Sequence, residues 1–260
     1  MITNIGTCHL ENLGDRDGVL KAKTEIFQSM KPNGHIVLNG DDDKLITVRE
    51  YNGVKPVFFG LNSERDVYAD QIESKGLKGV ACRIHLGEDA FDVLVPTPGI
   101  HMVYNALAAA AVGRIYGLTI EEIRRGIESL ETIRGRFKMI ETDKFLVVDD
   151  CYNANPMSMK ASLDVLHDGE GRRVAILGDM GELGEDEAAL HEGVGIHAAI
   201  CGIDACVCVG DLAVHIAEAA RKANPDFPVY YEKTRESLLE HLNDYVQPVS
   251  YTHLRAHETL

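Results

Sequence analysis

Between Lys138 and Pro248, short apolar runs alternate with longer amphipathic stretches, and this alternation constrains the fold more than any other feature of the chain. The runs 145–148, 174–177, 205–209 and 229–230 read as strands. The stretches 156–166, 186–199, 212–223 and 234–245 carry apolar residues at helical spacing. Successive strands that run the same way need a crossover between them, and a helix is the usual one. The pattern therefore predicts a parallel, three-layer α/β domain. Cys206 and Cys208 alternate within Ala205-Cys206-Val207-Cys208-Val209, which puts both on one face of a strand. The six cysteines are scattered without a CxxC pair, so they are expected to act as small buried hydrophobes and not as metal ligands or disulfides.

The first half reads differently. Val19, Leu20, Ile26, Phe27 and Met30 have helical spacing. A strand at 34–39 ends in Gly40-Asp41-Asp42-Asp43, and short β runs follow at 54–59, 67–72, 79–86 and 91–95. Helical periodicity returns in the alanine-rich stretch 102–116 and again at 119–130, where Thr119 and Glu122 have capping-box spacing. The expected organisation is a mixed α/β unit over 1–137 and a Rossmann-like unit over 138–248. A tail over 249–260 lacks a strand pattern and is expected to be a cloning or assembly scar. No apolar run reaches the roughly 18–20 residues of a membrane span and no signal peptide opens the chain, so a cytoplasmic protein without membrane insertion is expected. The net charge of −15 argues against nonspecific nucleic-acid binding.

Several clusters could carry chemistry. Asp149-Asp150-Cys151-Tyr152-Asn153-Ala154-Asn155-Pro156 follows the strand 145–148, and strand ends are where open α/β sheets bind ligands. His9, in Gly6-Thr7-Cys8-His9-Leu10-Glu11, is either a metal ligand at a strand end or a loop residue. Lys21 and Lys23 fit a solvated helix face. Asn105 offers the donor and acceptor that an adenine edge requires, or a structural hydrogen bond. Arg134-Gly135-Arg136-Phe137 suits either phosphate binding or an interdomain salt bridge. Leu177-Gly178-Asp179-Met180-Gly181-Glu182-Leu183-Gly184 lies between a strand and a helix, but Asp179 and Glu182 would repel a pyrophosphate. No G-x-x-x-x-G-K-[ST] loop is present.

Taken in order, these segments resemble the Mur ligase family. They are Asn4 to Glu11, Lys21 to Phe27, Pro98-Gly99-Ile100-His101-Met102-Val103-Tyr104-Asn105, Gly135-Arg136-Phe137, Asp150 to Pro156 and Leu177 to Gly184. The resemblance runs from residue 1 to about 248. It implies an ATP-dependent amide-bond ligase that adds D-alanyl-D-alanine to a UDP-N-acetylmuramoyl tripeptide through an acyl phosphate, in peptidoglycan precursor synthesis. ATP and Mg2+ are the implied cofactors, and a monomer is expected. By motif match, His9 is the implied magnesium ligand. Lys23 matches a lysine that is carbamylated in related ligases, with Lys21 close by. Asn105, Arg136 and Asp150 match nucleotide-contacting positions, and Tyr152, Asn153 and Asn155 match the segment that places the incoming dipeptide.

The chain departs from the family at Met102, where many relatives carry asparagine, so the nucleotide contact of that asparagine is not carried over to this chain. Residue 1 falls inside the family's central domain. Neither its P-loop nor its N-terminal domain is in the sequence, so the chain is expected to be a fragment without ligase turnover of its own. The alternatives are another Mur-type branch (amino-acid-adding or folylpolyglutamate synthase) and a non-catalytic nucleotide-binding module.

Overall fold

The computed structural model describes residues 1–6 and 13–246, and the backbone of 250–255. These form two compact units, the first holding Met1–Gly6 and the run to Glu131, the second beginning at Thr132.

In the first unit, α1 (Arg16–Thr24) starts where the Asp15 side chain accepts the Gly18 N–H, and it tightens into a 3-10 turn at Glu25–Ser29. Five strands follow: β1 (Val37–Asn39), β2 (Val57–Gly60), β3 (Val67–Ser74), β4 (Val80–Leu86) and β5 (Asp89–Val95). They lie in the order β1-β2-β3-β4-β5, parallel from β1 to β3 and antiparallel from β3 to β5. Val80, Cys82, Ile84 and Leu86 alternate into the core, as the period of a half-buried strand requires. They belong to the same apolar cluster as Val103, Leu107 and Ala110 of α2 (Ile100–Ile115). The alanines of α2 let that helix lie close on the sheet. Burying a side chain such as Leu107 contributes roughly 1.5–3 kcal/mol. The helix α3 (Ile120–Glu128) opens with the expected capping box: the Glu122 N–H donates to Thr119 Oγ1, and the Thr119 N–H donates to Glu122 Oε2 at 2.8 Å.

The second unit contains β6 (Lys138–Glu141), β7 (Phe145–Asp149), α4 (Pro156–His167), β8 (Arg172–Leu177), α5 (Glu187–Ile200), β9 (Ala205–Val209), α6 (Ala213–Ala223), β10 (Val229–Glu232), α7 (Arg235–Tyr245) and β11 (Ser250–Arg255). The strand order is β10-β9-β8-β11-β7-β6. Met159 and Leu163 of α4, Val194 of α5 and Ile216 of α6 pack with Leu177, Cys206 and Cys208 on one face. Leu238 of α7 packs with Val174, Ile176 and Val207 on the other, which gives the three layers. Cys206 and Cys208 are fully buried with Sγ atoms 3.5 Å apart, and burial together with the neighbouring thiol pushes the Cys206 thiol far up.

Two expectations are corrected. The sheet is not wholly parallel, because β6 runs antiparallel to β7 at the edge. All four β6 residues are exposed, so no apolar alternation marks it. The tail expected to lack a strand contributes one: Ser250 is in register with Phe145 on one side and Arg172 on the other. A strand between two others is held by backbone N–H and C=O groups on both sides, whatever its side chains. Among the described residues, no helix is long and apolar enough to cross a membrane.

Candidate functional site

At the end of β7 the two carboxylates of Asp149 and Asp150 bend back onto residues 135–137. Asp149 Oδ2 accepts the Gly135 N–H and Asp150 Oδ1 accepts the Phe137 N–H, both at 3.2 Å. Asp149 Oδ1 also accepts the Cys151 thiol, and Asp150 Oδ2 accepts the Ser162 hydroxyl, each at 2.9 Å. The Tyr152 N–H closes the cluster by donating to the Gly135 carbonyl at 2.9 Å. The Arg134–Phe137 motif thus belongs to the second unit. Gly135 and Phe137 both have left-handed backbone, φ +75° and +53°. For Phe137 that geometry costs on the order of 1–3 kcal/mol. The hydrogen bonds to Asp149 and Asp150 and burial of the ring offset it. Between them Arg136 is exposed, its guanidinium carbon 4.0 Å from the centre of the Tyr152 ring. No carboxylate pairs with Arg136 among the described residues.

The rest of the motif divides between capping and exposure. Asn155 is the N-cap of α4: its Oδ1 accepts the Ser158 N–H at 2.9 Å, and its own N–H donates to Ser158 Oγ at 3.2 Å. Pro156 follows at the first helical position, where a missing N–H costs nothing. Tyr152 and Asn153 are exposed and Ala154 is buried.

In the loop after β8, Asp179 is engaged structurally. Its Oδ1 accepts the N–H groups of Leu212 and Ala213 at 3.0 and 2.7 Å, and its Oδ2 accepts that of Asp211 at 3.1 Å. The carboxylate therefore caps α6 from another part of the chain, where the helix dipole favours negative charge. Gly210 is necessary to this contact, since a Cβ there would stand 2.3 Å from Asp179 Oδ1 and its φ is +126°. Met180 is held by His191, a residue that sequence patterning does not single out. Buried His191 accepts the Met180 N–H on Nε2 at 3.0 Å, and its Nδ1 donates to the Glu187 carbonyl at 2.7 Å. Those partners define a neutral tautomer, and burial holds its pKa below the usual histidine range.

In the first unit, Asn105 is an exposed residue of α2, and its Nδ2 lies 3.4 Å from the Met102 thioether. Sulfur is a weak acceptor, so the amide keeps its capacity for a ligand. Asp41, at the end of β1, is a second residue that patterning does not mark; it accepts Arg65 Nε at 3.0 Å and the Tyr104 hydroxyl at 3.2 Å, tying β1 to α2. Burial and that carboxylate raise the Tyr104 pKa to about 12, which keeps the phenol a donor. A cleft of about 440 Å³ lined by Val57, Leu86, Asp89 and Arg114 lies at the C-terminal end of α2, away from Asn105.

Lys23 is exposed and its Nζ donates to the Asn4 carbonyl at 2.9 Å. His9 lies outside the described residues. Among the described residues, no three His, Cys, Asp or Glu side chains converge as a metal site. Magnesium takes oxygen ligands; as an ammonium Lys23 supplies none, whereas a carbamylated Lys23 would present carboxylate oxygens to the ion.

Each unit is an α/β domain, and the second carries a polar cluster at the end of a strand. Residues 1–113 match the Mur ligase middle domain, and residues 135–251 match the domain described as Mur ligase, glutamate ligase domain. The chain belongs to the Mur ligase family. It is 35% identical over 222 residues to the UDP-N-acetylmuramoyl-tripeptide–D-alanyl-D-alanine ligase of Escherichia coli (strain K12), covering 85% of this chain and 49% of that protein. To the ligase of the same name from Bacillus subtilis (strain 168) it is 33% identical over 252 residues, covering 96% and 52%. The chain thus spans about half the length of these relatives. Among solved structures, MurF from Acinetobacter baumannii superposes with a TM-score of 0.87 at 32% identity, over 98% of this chain and 56% of that one. MurF from Thermotoga maritima in complex with ADP gives 0.82 at 24% identity over 98% and 58%, a likeness of fold alone.

Proposed function

We propose that this chain supplies the ATP-facing and amine-facing parts of a ligase that joins D-alanyl-D-alanine to UDP-N-acetylmuramoyl tripeptide in peptidoglycan precursor synthesis. In that reaction a carboxylate oxygen of the tripeptide attacks the γ-phosphorus of ATP, and the bond to ADP breaks. The dipeptide amine then attacks the acyl carbon and loses a proton, and phosphate leaves as the amide forms. The observation that carries the reading is the exposed Arg136, held at the strand end by Asp149 and Asp150 without a carboxylate partner among the described residues. A developing phosphate charge is stabilised by such a preorganised cation.

In this reading Asn105 meets the adenine edge and Arg136 a phosphate. Asp150 acts at the nucleotide by holding the Arg136 turn. Tyr152, Asn153 and the Asn155 Nδ2 receive the dipeptide, since the Asn155 carbonyl already caps α4. Magnesium, with His9 and a carbamylated Lys23 as its ligands, is part of the same proposal, as are a cytoplasmic location, a monomeric state and the absence of nucleic-acid partners. The test is binding to the 260-residue chain followed by NMR. D-alanyl-D-alanine is expected to shift the amides of 150–156, and ADP those near Asn105, with N105A weakening ADP about fivefold to tenfold, the worth of one good hydrogen bond. Equal shifts from L-alanyl-L-alanine, or ADP binding untouched by N105A, would refute it.

A further inference from the structure

The guanidinium of Arg136 lies over the face of Tyr152, residues sixteen positions apart in sequence, and the backbone around them is shaped to bring them together. Tyr152 donates its N–H to the Gly135 carbonyl, and a Cβ on Gly135 would stand only 3.3 Å from the Tyr152 Cβ. The Arg136 N–H donates to the Ile133 carbonyl at 3.1 Å, and the left-handed Phe137 turns its ring into the core while Arg136 remains outside. Tyr152 is itself 57% exposed, a large share for an aromatic ring, so burial does not explain its place. We propose that Tyr152 is a positioning residue for Arg136. Its ring is a platform that keeps the guanidinium flat and in one rotamer range, with the N–H edge presented to an anionic ligand.

This rests on the reading that Arg136 binds phosphate. An arginine on an exposed turn otherwise samples many rotamers, and each must be given up when a phosphate binds. A cation held on an aromatic face has already lost much of that freedom, and stacking leaves the five N–H donors, which lie in the guanidinium's own plane, available. The ring face, and not the phenol hydroxyl, is what the proposal needs. Lysine at 136 would keep the charge but could not stack as a plane.

The experiment follows the Arg136 side-chain Nε–Hε resonance by NMR in the 260-residue chain, with inorganic pyrophosphate as the anion. In the unsubstituted chain that proton is expected upfield of the exposed arginines, from the ring current of Tyr152. Y152F should leave both the shift and pyrophosphate affinity unchanged. Y152L, at a residue that is 57% exposed and whose hydrogen bond to Gly135 is made by the backbone, should abolish the upfield shift and weaken pyrophosphate about two- to fivefold, the worth of an exposed cation–π contact. R136A combined with Y152L should bind no more weakly than R136A alone. An Arg136 resonance without an upfield shift, or one that Y152L does not move, overturns the platform. Pyrophosphate binding weakened by R136A but not by Y152L overturns the role of Tyr152 and leaves the phosphate reading standing. Binding that R136A leaves intact, or no binding at all, overturns the phosphate reading itself.

Discussion

Replacing Asp179 by alanine removes the cap of a helix that the residue does not belong to. Three N–H groups at the start of α6 lose their acceptor, at 2.7, 3.0 and 3.1 Å. The Asp211 contact is exposed, so water replaces it at little cost; those to Leu212 and Ala213 are part-buried. Hydrogen bonds to a charged group contribute about 1.5–3 kcal/mol when partly shielded, but rewetting at this half-open edge recovers some of that. The charge at the helix N-terminus adds about 0.3–1 kcal/mol. The sum is a local loss of about 2–3 kcal/mol, at and above the roughly 2 kcal/mol that bounds ordinary N-cap removal, because three N–H groups share this carboxylate. Because the chain has two units, a single unfolding midpoint would mix their contributions. Amide hydrogen exchange of α6 reads the site directly, and D179A should speed it about 30- to 150-fold at 1.4 kcal/mol per tenfold change, with exchange in α3 unchanged. D179N keeps an oxygen for Leu212 and Ala213 but points an amide N–H at that of Asp211, so it should fall between. If α6 exchange in D179A stays within threefold of the parent, the carboxylate is not what holds that helix.

Other perturbations follow from the same region and from the first unit. Buried His191 has its pKa lowered in the folded state, so the unfolded chain binds the extra proton first. Its contribution to stability is full above about pH 6.5, the ordinary histidine value, and declines as the pH falls below it. The amide protection factors of α5 should fall between about pH 7 and 5, H191Q should flatten that slope, and an unchanged slope would rule the residue out. Gly195 of α5 would place a Cβ 2.1 Å from the Ile216 carbonyl of α6, so G195A should destabilise by about 1–3 kcal/mol through overpacking. A methyl added at Gly126 of α3 would meet nothing within 4 Å, so G126A should stabilise by about 0.4–1 kcal/mol; calorimetric melts of the two should move in opposite directions.

Much of the architecture is legible in the chain wherever a local pattern has a single physical solution. Thr119 and Glu122 cap α3 because the box needs only residues three apart. Cys206 and Cys208 share a buried face because a strand repeats every two residues. The failures fall where local sequence carries no record of the partner. Strand β6 borders solvent on an edge, so Lys138 to Glu141 bear no apolar alternation, and β11 is held through its backbone. Asp179 reads as a charge that would face a ligand because its true partners, the amides of Asp211 to Ala213, are more than thirty positions away. His191 leaves no pattern at all, since one histidine in a helix has the same spacing whether it faces solvent or the loop after β8. In the candidate site, Asn105, Arg136, Tyr152 and Asn153 are all exposed, but the contact between Arg136 and Tyr152 depends on a turn that no sequence spacing displays.

The strand order of the second unit has a consequence for how the protein is made. Strands β7 and β8 are consecutive, yet they do not touch; β11, from beyond α7, lies between them. During vectorial synthesis β8, β9 and β10 can pair as they emerge, while β6 and β7 form a separate hairpin that cannot join them. Two open strand edges then persist until β11 arrives, a long-range closure of the slow and aggregation-exposed kind. The strand end bearing Asp149 and the strand that leads to Asp179 are joined in one sheet only when β11 inserts between them. The turn that presents Arg136 is local to the β6–β7 hairpin and can form first, so on the ribosome the exposed arginine precedes the sheet that will support it.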